Sequence, residues 1–332
     1  MTKEHDLINR YFAPLCSNEN EAPAFGLLDD TALLQSKTGG DLLITSDALV
    51  ADVHFFASDP AAAIAHKALA VNVSDIIAKG GHPTHYLLTL ALPTHLDGDW
   101  LGEFANGLAK AQKLYDCQLV GGDTVSTRGP LMISITLLGD LVADKMVRRS
   151  GAAVGDQVFV SGTIGDAALG LLLRLNDKKL ADFDLPDAHR PHLLESYLLP
   201  EPSCELALLV AKYASAAMDI SDGLAGDFAK LCAASKVGGV INTELVPLSD
   251  AATNALAQSS KLLETVVTGG DDYQLLVTVP ASKADEFQRS TSKMTRIGEI
   301  VPADEGVVVL GADGKPFDLA HGAFDHFRAK GQ

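Results

Sequence analysis

Carboxylates dominate the chemistry open to this sequence. Asp29 and Asp30 sit side by side in the apolar stretch FGLLDDTALL (25–34), where folding alone gives no reason for two like charges. A buried carboxylate must be paired, coordinated or neutralised. Further aspartates stand where an apolar run gives out: Asp47 after LLITS, Asp123 after QLVGG, Asp219 and Asp222 after SAAM, and Asp271 with Asp272 after TVVTGG. Asn72 and Asp75, three residues apart in ALAVNVSDIIA, share one helical face about a turn apart. Taken singly, each has a bland explanation. Gly-Gly-Asp and Ser-Asp-Gly are common turns and caps, Asp222 suits the start of a helix, and Asp75 suits a surface ion pair with Lys79 at i+4. Taken together, carboxylates gathered at strand ends would repel one another unless divalent cations joined them. Hard cations such as Mg²⁺ take oxygen ligands and keep room for substrate phosphates. The glycines at 121, 122, 269 and 270 would let backbone N–H groups approach such phosphates.

The elements that must position these groups alternate along the chain. The pattern predicts strands over DLLITSDALV (41–50), THYLLTLALP, QLVGGDT, PLMISITLLGDL and DQVFVSG. It predicts helices over 59–81, WLGEFANGLAKAQKLYDC and GDAALGLLLRL. A strand is expected in VVTGGDDYQLLVTVP and a hairpin-like region in RIGEIVPADEGVVVLGADGKP. Leu7, Tyr11 and Leu15 mark an amphipathic N-terminal helix. Charges and glycines gather in VADKMVRRSGAAVGD (142–156), which divides the chain near residue 145 into two domains of α/β or α+β type with mixed sheets. TSD (45–47) is echoed by ISD (220–222), and GGDT (121–124) by GGDD (269–272), a slight basis for an internal duplication.

Composition narrows the function classes. The 332 residues are 47% hydrophobic and 21% charged, as in a globular chain with one large or two ordinary cores. Forty-three acidic against 26 basic residues give a formal charge of −17, which argues against nucleic-acid and anionic-membrane surfaces. No apolar run approaches the roughly 20 residues of a membrane span. Four scattered cysteines read as reduced thiols of a cytoplasmic protein. The pairs His82/His85 and His189/His192 lie beside prolines in expected loops and have no cysteine partner, so a zinc site is not expected. GADGKP lacks the hydroxyl of a phosphate-binding P-loop, and SGTIGDAALG lacks full dinucleotide spacing.

The ordered set DDTALL (29–34), TSDALVADVHF (45–55), HKALAVNVSDIIAKG (66–80), GGDT (121–124), RRSGAAVGD (148–156), DISDGLAGD (219–227), GGDDYQLL (269–276) and FDHF (324–327) resembles the thiamine-monophosphate kinase family, within the aminoimidazole ribonucleotide synthetase-like superfamily. The resemblance implies an N-terminal domain (1–145) for Mg-ATP binding and dimerisation, a C-terminal α/β domain (146–332), and a homodimer whose N-terminal sheets meet as a barrel. It implies transfer of the ATP γ-phosphoryl group to thiamine monophosphate, with several Mg²⁺ ions and no protein nucleophile or general base. Position by position, it implies Asp30, Thr45, Ser46, Asp47, Asp75, Asp123, Asp219 and Asp222 as metal ligands. Gly122, Asp123, Arg149 and Ser221 match ATP contacts, and His54, Asp271 and Phe324 match contacts to thiamine phosphate. Three features depart from the family pattern: Leu28 stands at a usual glycine, Asp271 at a usual glutamate, and Leu199 and Ser203 where arginines often flank the proline segment. Other phosphoryl-transfer enzymes of the superfamily, and a non-catalytic Mg-nucleotide-binding protein, are the alternatives. A selenophosphate synthetase would want a reactive cysteine in an N-terminal glycine-rich loop, and a hydrogenase-maturation dehydratase a C-terminal cysteine.

Overall fold

Helix α1 (Ala61–Ala78) is the element against which both halves of the chain pack. Its sequence, AAAIAHKALAVNVSDIIA, is too uniformly small and apolar to show one wet face, and 15 of its 18 residues are buried. A helix apolar all round is one covered all round. Strands of the first sheet cover one side, and strands of the second approach the other. By length and composition alone this helix could cross a membrane, but it lies inside the fold. The structure, a computed structural model, describes residues 29–34, 41–141, 146–177, 180, 183–311 and 314–316. The expected N-terminal helix, Leu28, Cys16 and Phe324 lie outside the described residues.

The first sheet contains β1 (Ala32–Leu34), β2 (Leu42–Val50), β3 (Gly81–Pro93), β4 (Gln118–Thr127) and β5 (Met132–Leu141), in the order β1-β2-β5-β3-β4. All neighbours are antiparallel except β3 and β4, which helix α2 (Gly98–Leu114) connects as a parallel crossover. Ile133, Ile135 and Leu137 alternate along β5 with half-buried residues, so one face of the sheet meets the helices. The second half supplies β6 (Gln157–Ser161), α3 (Asp166–Arg174), α4 (His189–Leu198), α5 (Ala207–Tyr213), β7 (Ala216–Ile220), α6 (Leu224–Ser235) and β8 (Gly238–Asn242). It continues with α7 (Asp250–Gln258), α8 (Leu262–Thr268), β9 (Gln274–Val279), α9 (Ala281–Ser290), β10 (Met294–Val301) and β11 (Val307–Leu310). Its mixed sheet runs β11-β8-β10-β6-β9-β7. One apolar cluster joins Ile76, Ile77 and Ile135 to Phe159, Ala217, Val277 and Phe287, so the core crosses from one half to the other.

Several expectations change. Asp47 is not at a strand end, because β2 continues through Thr45-Ser46-Asp47 to Val50. Likewise β4 runs straight through Gly121-Gly122-Asp123. Gly122 has φ +149°, and a Cβ there would stand 1.8 Å from the Leu88 carbonyl oxygen, so glycine lets β4 lie against β3 beside a register shift. Val266 and Val267 belong to helix α8; a short β-branched run fits either element until its neighbours decide. Asp271 therefore follows a helix and precedes β9. The C-terminal strands are no hairpin, for β8 lies between β10 and β11. His82 and His85 lie in β3, and His189 and His192 in α4, not in loops. The echoed GGDT and GGDD occupy a strand and a loop, so that resemblance between halves does not extend to structure.

Candidate metal and phosphate site

Carboxylate oxygens of Asp30, Asp75 and Asp219 lie within 4.8 Å of one another. They come from three segments: the turn before β1, the last turn of α1, and β7. The pleat of β2 aims Thr45 and Asp47 at this point, since residues two apart share a face. Thr45 Oγ1 donates to Asp75 Oδ2 at 2.5 Å and lies 3.2 Å from the Asp30 carbonyl oxygen. The Asp47 N–H donates to Asn72 Oδ1 at 3.1 Å, and Asn72 Nδ2 donates to the Ala68 carbonyl at 3.0 Å, so this buried amide braces β2 on α1. The Ser46 hydroxyl is turned by the same pleat to the opposite face, against the Ile135 carbonyl (3.2 Å) and the Thr136 hydroxyl (3.0 Å).

The electrostatics of the cluster are those of surplus negative charge. Burial pushes the Asp47 carboxyl up to about 6. Burial, then repulsion by Asp227, pushes Asp219 up to about 7 against a lowering hydrogen bond from Ser74. Asp75 is raised well above the usual carboxylate range by burial and by Asp47 and Asp219. Hard oxygen donors that raise one another's affinity for protons fit a hard divalent cation, whose charge would replace the protons.

Two basic residues stand on the other side of Asp30. Arg149 Nη2 is ion-paired with Asp30 Oδ1, and Lys79 Nζ lies 2.5 Å from Asp30 Oδ2. Lys79 also lies 2.8 Å from Asp29 Oδ1, while Asp29 Oδ2 accepts the Arg149 N–H at 3.1 Å. Asp29 is thus held by its own segment and its neighbours, and Asp30 is the member that faces the other carboxylates. Lys79 is fully buried, so the expected surface pair with Asp75 is replaced by an interior one with Asp29 and Asp30. The Nε of Arg149 is buried without a hydrogen-bond partner, a donor left over for an anion.

The second half contributes two touching loops. In the first, Asp227 on α6 accepts the N–H groups of Ser221 (3.0 Å) and Asp222 (2.9 Å), taking the capping role expected of Asp222. Asp222 instead pairs with Lys230, which also reaches Asp227 at 2.8 Å. Gly223, at φ +107°, would carry a Cβ 2.4 Å from the Thr268 carbonyl oxygen, so only glycine lets this loop lie on the next. There, Asp271 (φ +72°) and Tyr273 (φ +48°) are left-handed residues, a strain that clusters at functional sites. Their N–H groups donate to the Ser221 and Ile220 carbonyls at 2.9 and 2.8 Å. Asp271 accepts from Lys67 Nζ at 3.0 Å and from the Tyr273 hydroxyl at 3.3 Å. Lys67 stands 4.0 Å from the Tyr197 ring centroid, and the two line a small cavity with Phe55 and Asp59. His54, next to Phe55, accepts the Val50 N–H on Nδ1 at 2.9 Å.

Asp30, Thr45, Asp47, Asp75, Asp219 and Arg149 therefore meet, with Ser221, Asp222 and Asp271 on the adjoining loops. Gly122 and Asp123 do not join them in this chain. Their strand is three ladder spacings from β2, about 14 Å, and Asp123 Oδ1 accepts the next N–H at 2.8 Å on an exposed edge. Sequence reasoning missed Lys67, Lys79, Asp227 and Lys230. Lys79 carried a signal, a cation at the buried end of an apolar helix.

Residues 28–141 match the model of the AIR synthase related protein N-terminal domain, and residues 153–311 that of its C-terminal domain. The thiamine-monophosphate kinase of Caulobacter vibrioides is 39% identical over 92% of this chain and 85% of its own length. That of Escherichia coli K12 is 36% identical over 98% of both. The solved structure of AaThiL complexed with AMPPCP and TMP is 35% identical, covers 98% of this chain and 97% of that one, and superposes with a TM-score of 0.84. The hydrogenase maturation protein HypE, at 20% identity and a TM-score of 0.67, shares the fold. With its two-domain mixed α/β fold of the AIR synthase type, the chain belongs to the thiamine-monophosphate kinase family.

Proposed function

We propose that this protein transfers the γ-phosphoryl group of ATP directly to thiamine monophosphate, yielding thiamine diphosphate and ADP, at the site built around Asp30, Asp75 and Asp219. The observation that carries the reading is the convergence of those three carboxylates from separate segments, in a chain whose relatives are thiamine-monophosphate kinases over nearly their full length.

Asp30, Thr45, Asp47, Asp75 and Asp219 would hold Mg²⁺, with Asp222 reached once it leaves Lys230. Bound there, Mg²⁺ would neutralise charge between two phosphate groups that otherwise repel. The acceptor is largely a dianion at about pH 7 and needs no base to become a nucleophile. The protein's work is then to position donor and acceptor in line. Arg149, with its free Nε, suits the nucleotide phosphates beside the N–H groups near Ser221. Lys67 fixes the Asp271 carboxylate, and His54 is held by Val50, so both groups at the acceptor end are oriented before substrate arrives. Through the family resemblance Gly122 and Asp123 belong to the nucleotide-binding assignment, and Asp123 and Ser46 to the metal assignment as well.

The reading also includes a chain divided near residue 145 and a homodimer with facing N-terminal sheets. In support of the dimer, Leu87, Leu119, Val120 and Val125 are exposed on β3 and on the uncovered edge strand β4. Such an edge is normally covered.

Phosphorus NMR tests the reaction. Purified protein with Mg·ATP should produce a new diphosphate ester with thiamine monophosphate and none with thiamine or aminoimidazole precursors. No turnover with any acceptor would overturn the assignment.

A further inference from the structure

Lys79 closes helix α1 and has no part in the phosphoryl-transfer assignment above. Its ammonium is wholly buried, ion-paired with Asp29 Oδ1 at 2.8 Å and Asp30 Oδ2 at 2.5 Å, and hydrogen-bonded to the Ala217 carbonyl oxygen at 2.7 Å. A buried charge is tolerated only when so satisfied. The third bond reaches β7, two residues before Asp219, and so ties the end of α1 to the strand that brings the second half's carboxylate. Asp29, Asp30, Asp47, Asp75 and Asp219 gather here against Lys79 and Arg149. The two cations differ in access: the Arg149 side chain is 22% exposed and that of Lys79 not at all. Arg149 can move away towards a ligand, whereas Lys79 is enclosed with its partners.

We propose that Lys79 is a resident cation of the carboxylate site: it offsets Asp29 and Asp30 before any divalent ion arrives, holds Asp30 in place, and sets a ceiling on the affinity for divalent ions. The inference rests on the site being a metal site. Its mark is a sign that a merely structural lysine would not give. Removing a positive charge that touches Asp30 leaves a more negative site, which attracts cations more strongly. Removing a structural tie loosens the ligands and weakens cation binding.

Mn²⁺ binding, followed by paramagnetic resonance on the full-length protein, separates the two. Lys79→Met is expected to bind Mn²⁺ at least about tenfold more tightly than the parent, because a unit charge a few ångströms from the ion acts strongly even at protein-surface dielectric. Its metal-free form should melt at a lower temperature, and Mg²⁺ should raise its melting temperature more than it raises the parent's. Adding Asp29→Asn rebalances the charge without altering Asp30. The double variant should fold without metal and return Mn²⁺ affinity to within about threefold of the parent, as a pairwise cycle requires. Unchanged or weaker Mn²⁺ binding by Lys79→Met would overturn the proposal, as would a double variant that folds no better without metal than Lys79→Met. A parent protein that binds no Mn²⁺ would instead overturn the metal reading beneath it.

Discussion

Burial holds the Asp47 carboxyl at about 6 and the Asp219 carboxyl at about 7, both above the value of 3.8 that an exposed aspartate shows. The folded protein therefore keeps protons that the unfolded chain has already lost. That contribution to stability is complete below the unfolded value and disappears as pH rises through 6 and 7, at about 1.4 kcal/mol per pH unit for each proton retained. Without divalent ions, chemical denaturation should show a less stable protein at pH 8 than at pH 5.5, and saturating Mg²⁺ should close the gap. A flat or rising profile would contradict the repulsive cluster. By the same logic, Asp47→Asn should make the metal-free protein about 2 kcal/mol more stable at pH 8. It should also lower turnover by about 10²-fold or more, as loss of one preorganised electrostatic group does. Near-normal turnover at saturating Mg²⁺ would remove Asp47 from the ligands. Much of this was legible in the sequence, because a carboxylate inside an apolar run needs an explanation. Ser46 was not, since the resemblance names a residue and only the pleat decides which way its hydroxyl points. Lys79 was not either: four residues after Asp75, it suits an exposed pair until the whole helix proves buried.

Helix α6 shows how an element positions a group without touching the chemistry. Asp227 takes two N–H groups from the Ser221–Asp222 turn and pairs with Lys230. Replacing it by alanine leaves those donors unpaired and should cost about 1–3 kcal/mol. Turnover should fall through displacement of Ser221 and Asp222, whereas Asp227→Asn, which keeps an acceptor, should lose less of both. Equal losses in the two variants, measured by urea unfolding and initial rates, would count against this bracing role. Strand and helix identities were legible where the pattern ran long, as in β5 and α1. They failed at Val266–Val267 and at the final strands. A short apolar run does not reveal its partner, and β8 separates strands that the sequence makes neighbours.

Across the whole molecule, α1 ties the two sheets into one core, while the first sheet leaves an uncovered side at β3 and its edge strand β4, where Leu87, Leu119, Val120 and Val125 are exposed. If a second copy covers that face, Val125→Asp should give a monomer by light scattering, with little change in secondary structure because the side chain is 49% exposed here. A variant that remains dimeric would place the interface elsewhere. The two-domain α/β class was legible from the alternation of strands and helices along the chain. The meeting of Asp30, Asp75 and Asp219 was expected through the family resemblance alone, since no spacing in the sequence shows how the second sheet docks against α1. That meeting is also what the functional account most depends on. Anomalous diffraction from crystals grown with Mn²⁺ and a non-hydrolysable ATP analogue tests it most directly. The account predicts manganese at about 2.1 Å from oxygens of Asp30, Asp75 and Asp219, the ordinary distance for a small hard cation. Well-ordered nucleotide with no manganese within ligating distance of those three carboxylates would contradict it.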